Sequence, residues 1–333
     1  MTQTILVTGG GGFIGRAIVL QLLARQANVR VYARGSYPEL ASMGVHVIHG
    51  DVADLPLLAR SCKGCETVFH AAARVGLWGP RVEFVRANIN GTENVISACR
   101  RAGVPKLVFT SSPSAVFDGS PLEGVNESVP YPSRPFSNYG ATKAAAEQLV
   151  LGANGPSLRT TALRPHFVWG PGDQHILPRF LERARSGKVY LIGGGTQLVD
   201  CTYVDNVAEA HLLAESALGR GVASGKAYFI SQGHPIAIRE MMERTLAAAH
   251  LSPRMKSLSP SVAFAVAGGL ELLWRLPGFS GEPPLTTALA HELAVPHWFD
   301  ISAARRDLGY APRIGIDEGF GRLERWLKTQ AVT

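Results

Sequence analysis

Short apolar runs alternate with helical stretches over about the first half of the chain. The runs are rich in β-branched residues and lie at residues 5–7, 29–32, 45–48, 67–69, 106–110 and 160–163. Strands that alternate with helices are typical of a parallel sheet with crossover connections. Because these runs are apolar along their length, we expect helices to cover both faces of the sheet, as in a doubly wound α/β fold of the Rossmann type.

Beyond residue 165 the chain changes to loops rich in glycine and proline between predicted helices. We therefore predict a Rossmann domain over residues 1–165 and a smaller, mainly substrate-binding lobe over residues 166–333. Residues 228–230 resemble one more strand, so the chain is expected to return to the main sheet between about residues 198 and 230.

Residues 262–270 form an unusually apolar stretch in the second half. Glu271 and Arg275 interrupt it before the roughly 18 apolar residues that a membrane span needs, so no transmembrane segment is predicted. Three interpretations remain open: a core helix, a lid over an apolar substrate pocket, or a weak contact with a membrane surface.

Composition describes a well-packed globular protein, since 46% of the 333 residues are hydrophobic and 18% are charged. The chain has 33 Lys and Arg residues and 26 Asp and Glu residues. No long run of like charge occurs, so nucleic acid is not an expected partner. Four cysteines without a matching ligand set indicate free thiols and no metal site. With no export signal at the start of the chain, we expect a cytoplasmic protein.

The first candidate site is a glycine-rich loop between the first predicted strand and a helix. Gly9, Gly12 and Gly15 have G-x-x-G-x-x-G spacing, and Phe13 and Ile14 begin the helix. Glycine permits a tight turn and a close backbone approach to a pyrophosphate, and a helix N-terminus offers unpaired N–H groups. This loop therefore predicts a dinucleotide site.

The end of the second predicted strand indicates which dinucleotide is preferred. An acidic residue there would bind the adenosine ribose and repel a 2′-phosphate, but this strand ends in Ala33 and Arg34. A guanidinium can stack on adenine and pair with a phosphate. NADP(H) is therefore favoured over NAD(H), unless Arg34 is an ordinary surface residue.

The next two predicted strands add further candidates for cofactor binding. Asp51 and Val52 follow the third strand, and Asp51 could accept a hydrogen bond from the adenine amino group or simply cap the next turn. Ala71 and Ala72 follow the fourth strand, and their small side chains would let the backbone approach the cofactor.

Three further residues predict chemistry on a carbonyl group. Tyr139 and Lys143 have the i, i+4 spacing that places side chains on one helix face, although such a pair is also common in ordinary helices. A nearby ammonium favours the ionised phenol, so we expect Lys143 to lower the pKa of Tyr139 from its usual value near about 10. Ser112, after the fifth strand, can donate a hydrogen bond to a carbonyl oxygen.

The set of Thr8, Gly9, Gly12, Gly15, Ser112, Tyr139 and Lys143 resembles the extended short-chain dehydrogenase/reductase family over essentially the whole chain. Several segments are similar to its 3β-hydroxysteroid dehydrogenase branch, namely residues 70–73, 88–92, 163–165, 169–172 and 203–206. This resemblance implies a nicotinamide cofactor near Pro165, with Lys143 on its ribose.

Within that branch, a further set of segments is similar to bacterial reductases of long-chain β-keto acids, namely residues 34–38, 76–79, 172–179 and 296–298. This resemblance implies that NADPH reduces a lipid-like β-keto acid with two alkyl chains to the β-hydroxy acid. Those reductases have threonine at the position of Ser112, and both residues carry a hydroxyl, so the role is expected to survive.

Candidates for substrate contact lie just after predicted strands or at the start of the second lobe. They are Trp78, Ser114, His166, Trp169 and Arg179. Arg179 or His166 could pair with a substrate carboxylate, whereas the two tryptophans could equally be core or loop anchors.

Other functions remain open from the sequence. The same serine, tyrosine and lysine serve 3β-hydroxysteroid dehydrogenases and epimerases or dehydratases of nucleotide sugars. A non-catalytic NADP-sensing protein would be expected to lack the catalytic tyrosine, and Tyr139 is present. The family resemblance also implies a homodimer through the helices around residues 83–100 and 139–151.

Overall fold

The computed structural model describes residues 3–279 and 281–330. Its strands, in chain order, are β1 Thr4–Thr8, β2 Asn28–Ala33, β3 His46–His49, β4 Thr67–His70, β5 Lys106–Thr110, β6 Leu122–Val125, β7 Arg159–Pro165, β8 Val168–Trp169, β9 Tyr190–Ile192, β10 Leu198–Val199, β11 Thr202–Tyr203, β12 Lys226–Ile230, β13 Ile236–Ala237, β14 Lys256–Leu258 and β15 His297–Phe299. Its α-helices are α1 Phe13–Ala24, α2 Pro38–Ser42, α3 Leu55–Cys62, α4 Arg81–Phe84, α5 Gly91–Ala102, α6 Asn138–Gly152, α7 Ile176–Arg185, α8 Val204–Gly219, α9 Ile238–Ala248, α10 Pro260–Trp274, α11 Thr287–Ala294 and α12 Ile316–Gln330.

Seven strands form a parallel sheet in the order β12-β7-β5-β4-β1-β2-β3. The direction of winding reverses between β1 and β4, so the carboxyl ends of these two strands border a crevice. The doubly wound α/β fold predicted from the sequence is confirmed. In such sheets, ligands bind in this crevice.

Helices bury both faces of the sheet. Side chains along β1 point alternately to the two faces of the sheet. Ile5 and Val7 pack in the hydrophobic core on one face, and Leu6 packs in the core on the other face. The expectation of full burial is wrong for β3, whose terminal residues His46 and His49 are exposed. β3 lies at the edge of the sheet and has a neighbouring strand on one side only.

The two halves of the sequence interleave. β12 pairs with β7 at the far edge of the main sheet, and α8 packs against α1 and the adjacent strands. In the other direction, β6 pairs with β15 in a four-stranded sheet of order β13-β10-β15-β6. A division into two lobes at residue 165 stays a prediction.

The apolar stretch at residues 262–270 lies within α10, and only one side of that helix is buried. Ala263 and Ala267 are fully buried against α11 and β9, whereas Val262 and Val266 on the other side are 48% and 45% exposed. Throughout the described part of the chain, no helix has the length and apolar character that crossing a membrane requires.

Candidate active site

The glycine-rich loop turns tightly between β1 and α1. Gly9 has φ +69°, in the region that favours glycine, and its N–H donates to the Tyr32 carbonyl at 2.9 Å. A Cβ on Gly15 would lie 2.2 Å from the Gly9 carbonyl oxygen, so only glycine fits there. Gly12 caps α1 without a side-chain hydrogen bond, which leaves the first N–H groups of the helix, at Phe13 and Ile14, without a side-chain partner.

This geometry fits a pyrophosphate, because unpaired helix N–H groups and the helix dipole attract an anion. Ala71 and Ala72 lie directly opposite the loop, and their N–H groups donate to the Thr8 carbonyl and hydroxyl at 3.2 and 3.4 Å. A Cβ on Gly9 would lie 2.7 Å from the Ala72 nitrogen. A side chain at position 9 would therefore not fit between the loop and the end of β4.

The ends of β2 and β3 lie beside this loop. Ala33 is buried, whereas the Arg34 side chain is exposed and makes no hydrogen bond or ion pair within residues 3–279 and 281–330. Asp51 accepts from the Ala53 N–H at 3.0 Å and lies 3.5 Å from Arg86, so its carboxylate has partners of its own. The Asp51 carboxylate therefore makes one local turn contact and one ion pair, and its hydrogen bond to adenine stays a prediction.

Val52 is half-buried and packs close to the start of α5, where a Cβ on Gly91 would lie 2.7 Å from its side chain. Asp54, one turn further on, is the residue that caps α3, since its carboxylate accepts from the Leu57 N–H at 3.0 Å. The helix-capping role considered for Asp51 therefore belongs to Asp54.

A chain of hydrogen bonds joins the glycine-rich loop to the helices beyond it. The Thr92 hydroxyl donates to the Asn88 carbonyl at 2.6 Å, so its oxygen accepts from His70 Nε2–H at 3.0 Å. His70 Nδ1 then accepts from the Thr8 hydroxyl at 2.7 Å. Burial lowers the pKa of His70 to about 3, so its ring is neutral and acts as a fixed connector.

Asn88 continues this connection to α6. It lies in the π-helical turn Val85–Asn90, and its amide nitrogen donates to the Thr142 hydroxyl at 3.0 Å and to the Arg74 carbonyl at 3.1 Å. The backbone N–H of Arg74 donates back to its amide oxygen at 2.7 Å. Asn88 was not among the predicted site residues, although it lies in one of the segments that carried the family resemblance.

Ser112 and Tyr139 meet where β5 ends and α6 begins. Ser137 caps α6, and Gly140 lets its first turn approach the 3-10 turn Pro113–Ala115, since a Cβ there would lie 2.5 Å from the Ser114 carbonyl oxygen. The Ser112 hydroxyl bonds to that of Ser114 at 3.1 Å and also interacts with the Tyr139 phenol. As whole residues, Ser112 and Tyr139 are both half-buried.

Lys143 lies behind Tyr139, one helical turn further along. Its ammonium is buried, donates to the Thr110 carbonyl at 2.5 Å and lies 4.1 Å from the centre of the Phe109 ring. Burial lowers the pKa of Lys143 to about 7, while Glu147 acts in the opposite direction.

The expected lowering of the Tyr139 pKa is wrong for the protein without ligand. Burial raises the pKa of Tyr139 to about 12. The hydrogen bond with Ser112 acts against this increase, whereas the charge of Glu292 adds to it. The Lys143 ammonium points to the Thr110 carbonyl, so it does not contribute to that shift. A raised pKa keeps the phenol protonated at neutral pH, which is the form that donates a proton.

A buried ion pair holds the next turn of α6 against β7. Arg164 and Glu147 are 3% and 0% exposed and form paired hydrogen bonds of 2.6 to 3.1 Å, and the Tyr131 hydroxyl donates to the same carboxylate at 2.6 Å. Breaking such a pair costs about 3–5 kcal/mol, because one charge stays buried without a partner. Pro165, the predicted cofactor contact, follows this arginine as the last residue of β7 and is buried.

The predicted substrate residues do not all gather at this site. Ser114 is next to Ser112, and Trp78 is half-buried in the loop after β4. Trp169 instead stacks on Phe320 of α12 at 4.3 Å, in the core. The Arg179 side chain is exposed and forms an ion pair with Glu282, so its contacts give no support to a role in substrate binding.

His166 lies in a cluster of aromatic and imidazole rings. Its Nδ1–H donates to the Asp200 carbonyl at 2.7 Å, and its ring centre lies 4.8 Å from that of His297. Burial lowers the pKa of His166 to about 3, so it is neutral and offers no charge to a substrate carboxylate. The described ranges contain no group of three or more metal-ligating side chains.

Glu292 on α11 is a residue that the sequence did not single out. His297 Nε2–H donates to its backbone carbonyl at 2.7 Å, and the neighbouring His291 ring packs against Phe136, three residues before Tyr139. The Glu292 carboxyl has no hydrogen bond or ion pair within the described ranges, and its charge acts on Tyr139. Burial raises the pKa of this carboxyl to about 7. No local pattern could reveal it, because its importance depends on where α11 packs.

This arrangement defines an oxidoreductase of the short-chain dehydrogenase/reductase class, since a dinucleotide cradle opens directly onto hydroxyl groups that can polarise a carbonyl. The profile of the 3-beta hydroxysteroid dehydrogenase/isomerase family matches residues 6–258. The chain belongs to that family, and the resemblance stated from the sequence is confirmed.

Individual relatives cover nearly the whole chain. A 2-alkyl-3-oxoalkanoate reductase of Stenotrophomonas maltophilia is 48% identical over 96% of this chain and 98% of its own. A reductase of the same name from Shewanella oneidensis is 42% identical over 96% of this chain and 84% of its own. Among solved structures, MoeE5 in complex with UDP-glucose and NAD is 29% identical, with a TM-score of 0.77 over 99% of this chain and 100% of its own.

Proposed function

We propose that this chain reduces the ketone of a long-chain 2-alkyl-3-oxoalkanoate to the 3-hydroxy acid, with NADPH as the cofactor. The observation that carries the proposal is the 48% identity, end to end, to a reductase named for that substrate. The positions of Ser112 and Tyr139 agree with it, because two hydroxyl donors suit a ketone oxygen. Oxidation of NADPH by such a keto acid is the direct test.

Tyr139, Ser112 and Lys143 each have a separate role in the proposed reaction. When bound, the nicotinamide supplies the hydride that reduces the carbonyl carbon. Tyr139 donates its phenolic proton to the carbonyl oxygen, and the Ser112 hydroxyl stabilises the negative charge that develops there. Lys143 would hold the cofactor ribose, and its positive charge would favour the phenolate that remains.

A nucleotide-sugar reaction is the second candidate. MoeE5, whose structure contains UDP-glucose and NAD, has the same fold and is 29% identical to this chain. The higher identity of the two keto acid reductases and the absence of an acid after β2 support the first proposal.

We further propose that the chain is a homodimer through the helices around residues 83–100 and 139–151, and that it acts in the cytoplasm. In a dimer with two-fold symmetry the same surface patch of each subunit forms the contact, and helices that pack side by side can form a four-helix bundle. The four cysteines are buried free thiols, which supports a reducing compartment.

The preference for NADPH is proposed to depend on Arg34. Replacing Arg34 with alanine should lower kcat/KM for NADPH by about 10- to 100-fold, because a charge-assisted bond to the 2′-phosphate is lost. Activity with NADH should change little. Steady-state kinetics with each cofactor measure both effects.

Arg25→Ala is the matched control, since Arg25 is an exposed arginine at the end of α1. It should leave both cofactors unaffected. Equal losses with NADPH and NADH in Arg34→Ala, or no loss with either, would remove Arg34 from cofactor discrimination.

Glu292 should make keto acid binding depend on pH. Its carboxyl is neutral below its pKa of about 7 and negative above it, so at higher pH it would repel a substrate carboxylate. The KM for the keto acid should therefore rise by about tenfold as pH increases through this pKa. Initial rates on either side of pH 7 measure it.

Glu292→Gln keeps a hydrogen-bonding side chain of the same size but cannot ionise. Its KM should stay nearly constant across the same pH range, while a ketone without a carboxylate should show little dependence with either protein. If the KM of Glu292→Gln still rose with pH as it does in the parent chain, another group would control the pH dependence.

A further inference from the structure

An exposed strip of large apolar side chains follows α10 and the turn after it. We call it the apolar strip, and its members are Val262, Val266, Leu272, Leu273, Leu276 and Phe279. Of the fifteen large hydrophobic side chains that are exposed in the described residues, these six fall within 18 consecutive positions. Scattered apolar residues are normal on a surface, but a contiguous group marks a surface that contacts something apolar.

The helix cannot easily rotate to bury this strip. Ser259 caps its N-terminus, and Ala263 and Ala267 are packed into the interface with α11. Near its C-terminal end, Glu271 accepts hydrogen bonds from the Thr287 N–H and hydroxyl at 2.7 and 2.9 Å. The native packing therefore holds the apolar strip towards the outside, where Leu272 is 67% exposed.

The segments that contain and adjoin the strip carry an excess of positive charge. Residues 176–190 and 251–286, which adjoin through the pairing of β9 with β14 and the ion pair of Arg179 with Glu282, contain seven Lys and Arg but three Asp and Glu. Several of these basic side chains are exposed and make no hydrogen bond or ion pair in the part of the chain that the structure describes, namely Arg185, Lys188, Arg254, Lys256 and Arg275.

We propose that the apolar strip docks on a lipid bilayer that carries anionic head groups. Apolar side chains on one face of a helix insert at the boundary between head groups and acyl chains, and nearby lysines and arginines attract anionic lipids. A second copy of the chain is a poorer occupant, because a two-fold contact would bring two copies of the same positively charged surface together. α11, which holds Glu292 beside Tyr139, packs on the inner side of α10, so docking would bring the candidate active site close to the lipid surface.

The test is sedimentation of the full-length chain with vesicles. The probes are phosphatidylcholine vesicles with about 30% phosphatidylglycerol and vesicles of phosphatidylcholine alone. We expect at least about tenfold stronger binding to the anionic vesicles and a loss of that preference at high salt. The double variant Leu272→Glu and Leu276→Glu should bind the anionic vesicles at least about tenfold more weakly.

Leu20→Glu is the matched control, because Leu20 is 40% exposed on α1 and lies outside the strip. It should sediment like the parent chain, and thermal unfolding should show that all variants fold. Equal vesicle binding by the double variant and the parent, or no binding by the parent, would overturn the proposal. So would light scattering in which the double variant dissociates a dimer of the parent chain, because the strip would then be covered by a second copy.

Discussion

Replacing Tyr139 with phenylalanine is expected to lower kcat by about 10²- to 10⁴-fold, the usual contribution of a positioned acid. The phenol is the proton donor in the proposed reaction, and burial keeps it protonated by raising its pKa to about 12. Phenylalanine keeps the ring and its packing but has no proton to give. Stopped-flow or steady-state absorbance of NADPH measures the loss, and fluorescence titration should show that NADPH still binds.

Tyr190→Phe is the matched control, because Tyr190 is 42% exposed on β9 and its hydroxyl has no hydrogen-bond partner among the described residues. It should have nearly the activity of the parent. If Tyr139→Phe retained substantial turnover, the proton would have to come from another group, and Ser112 or Glu292 would be the next candidates.

Gly15→Ala is expected to reduce the affinity for NADPH by about 100-fold or more. The added Cβ would lie 2.2 Å from the Gly9 carbonyl oxygen, which is too close for any atom, so the loop must move away from α1. A displacement of about 1 Å in a binding site can cost 10²-fold, and this one separates the pyrophosphate from the helix N–H groups. Isothermal titration with NADPH measures the affinity.

Gly152→Ala is the control for this change, since a Cβ at Gly152, the last residue of α6, meets no atom within 4 Å. It should bind NADPH like the parent chain. Because the crowded loop also destabilises the protein, affinity must be measured well below the unfolding temperature of each variant. Unchanged affinity in folded Gly15→Ala would place the cofactor away from this loop.

The sequence predicted the main sheet well because its strands are short, apolar and separated by helices, so local pattern and tertiary structure agree. It could not predict that β6 pairs with β15, since these strands are about 175 residues apart and their pairing depends on the packed fold. The burial expected for β3 failed for the same reason, because its position at the edge is a property of the sheet order.

The candidate site likewise has features that the local sequence predicts and features that depend on the packed fold. Gly9, Gly15 and Gly140 stand where the backbone needs glycine, and two of them were visible from spacing alone. Side-chain roles that depend on burial were not visible. Lys143 was expected to lower the pKa of Tyr139, but desolvation raises it, and Glu292 approaches the phenol from a helix more than 140 residues away in the sequence.

One measurement tests the proposed function most directly. NADPH absorbance would be followed with a long-chain 2-alkyl-3-oxoalkanoate, a 3-ketosteroid and a nucleotide sugar, and the reverse reaction would be followed with the 3-hydroxy acid and NADP⁺. We predict rapid turnover of the keto acid and its hydroxy acid, with little or none of the other two compounds. Turnover of the steroid or the sugar without turnover of the keto acid would contradict the proposal.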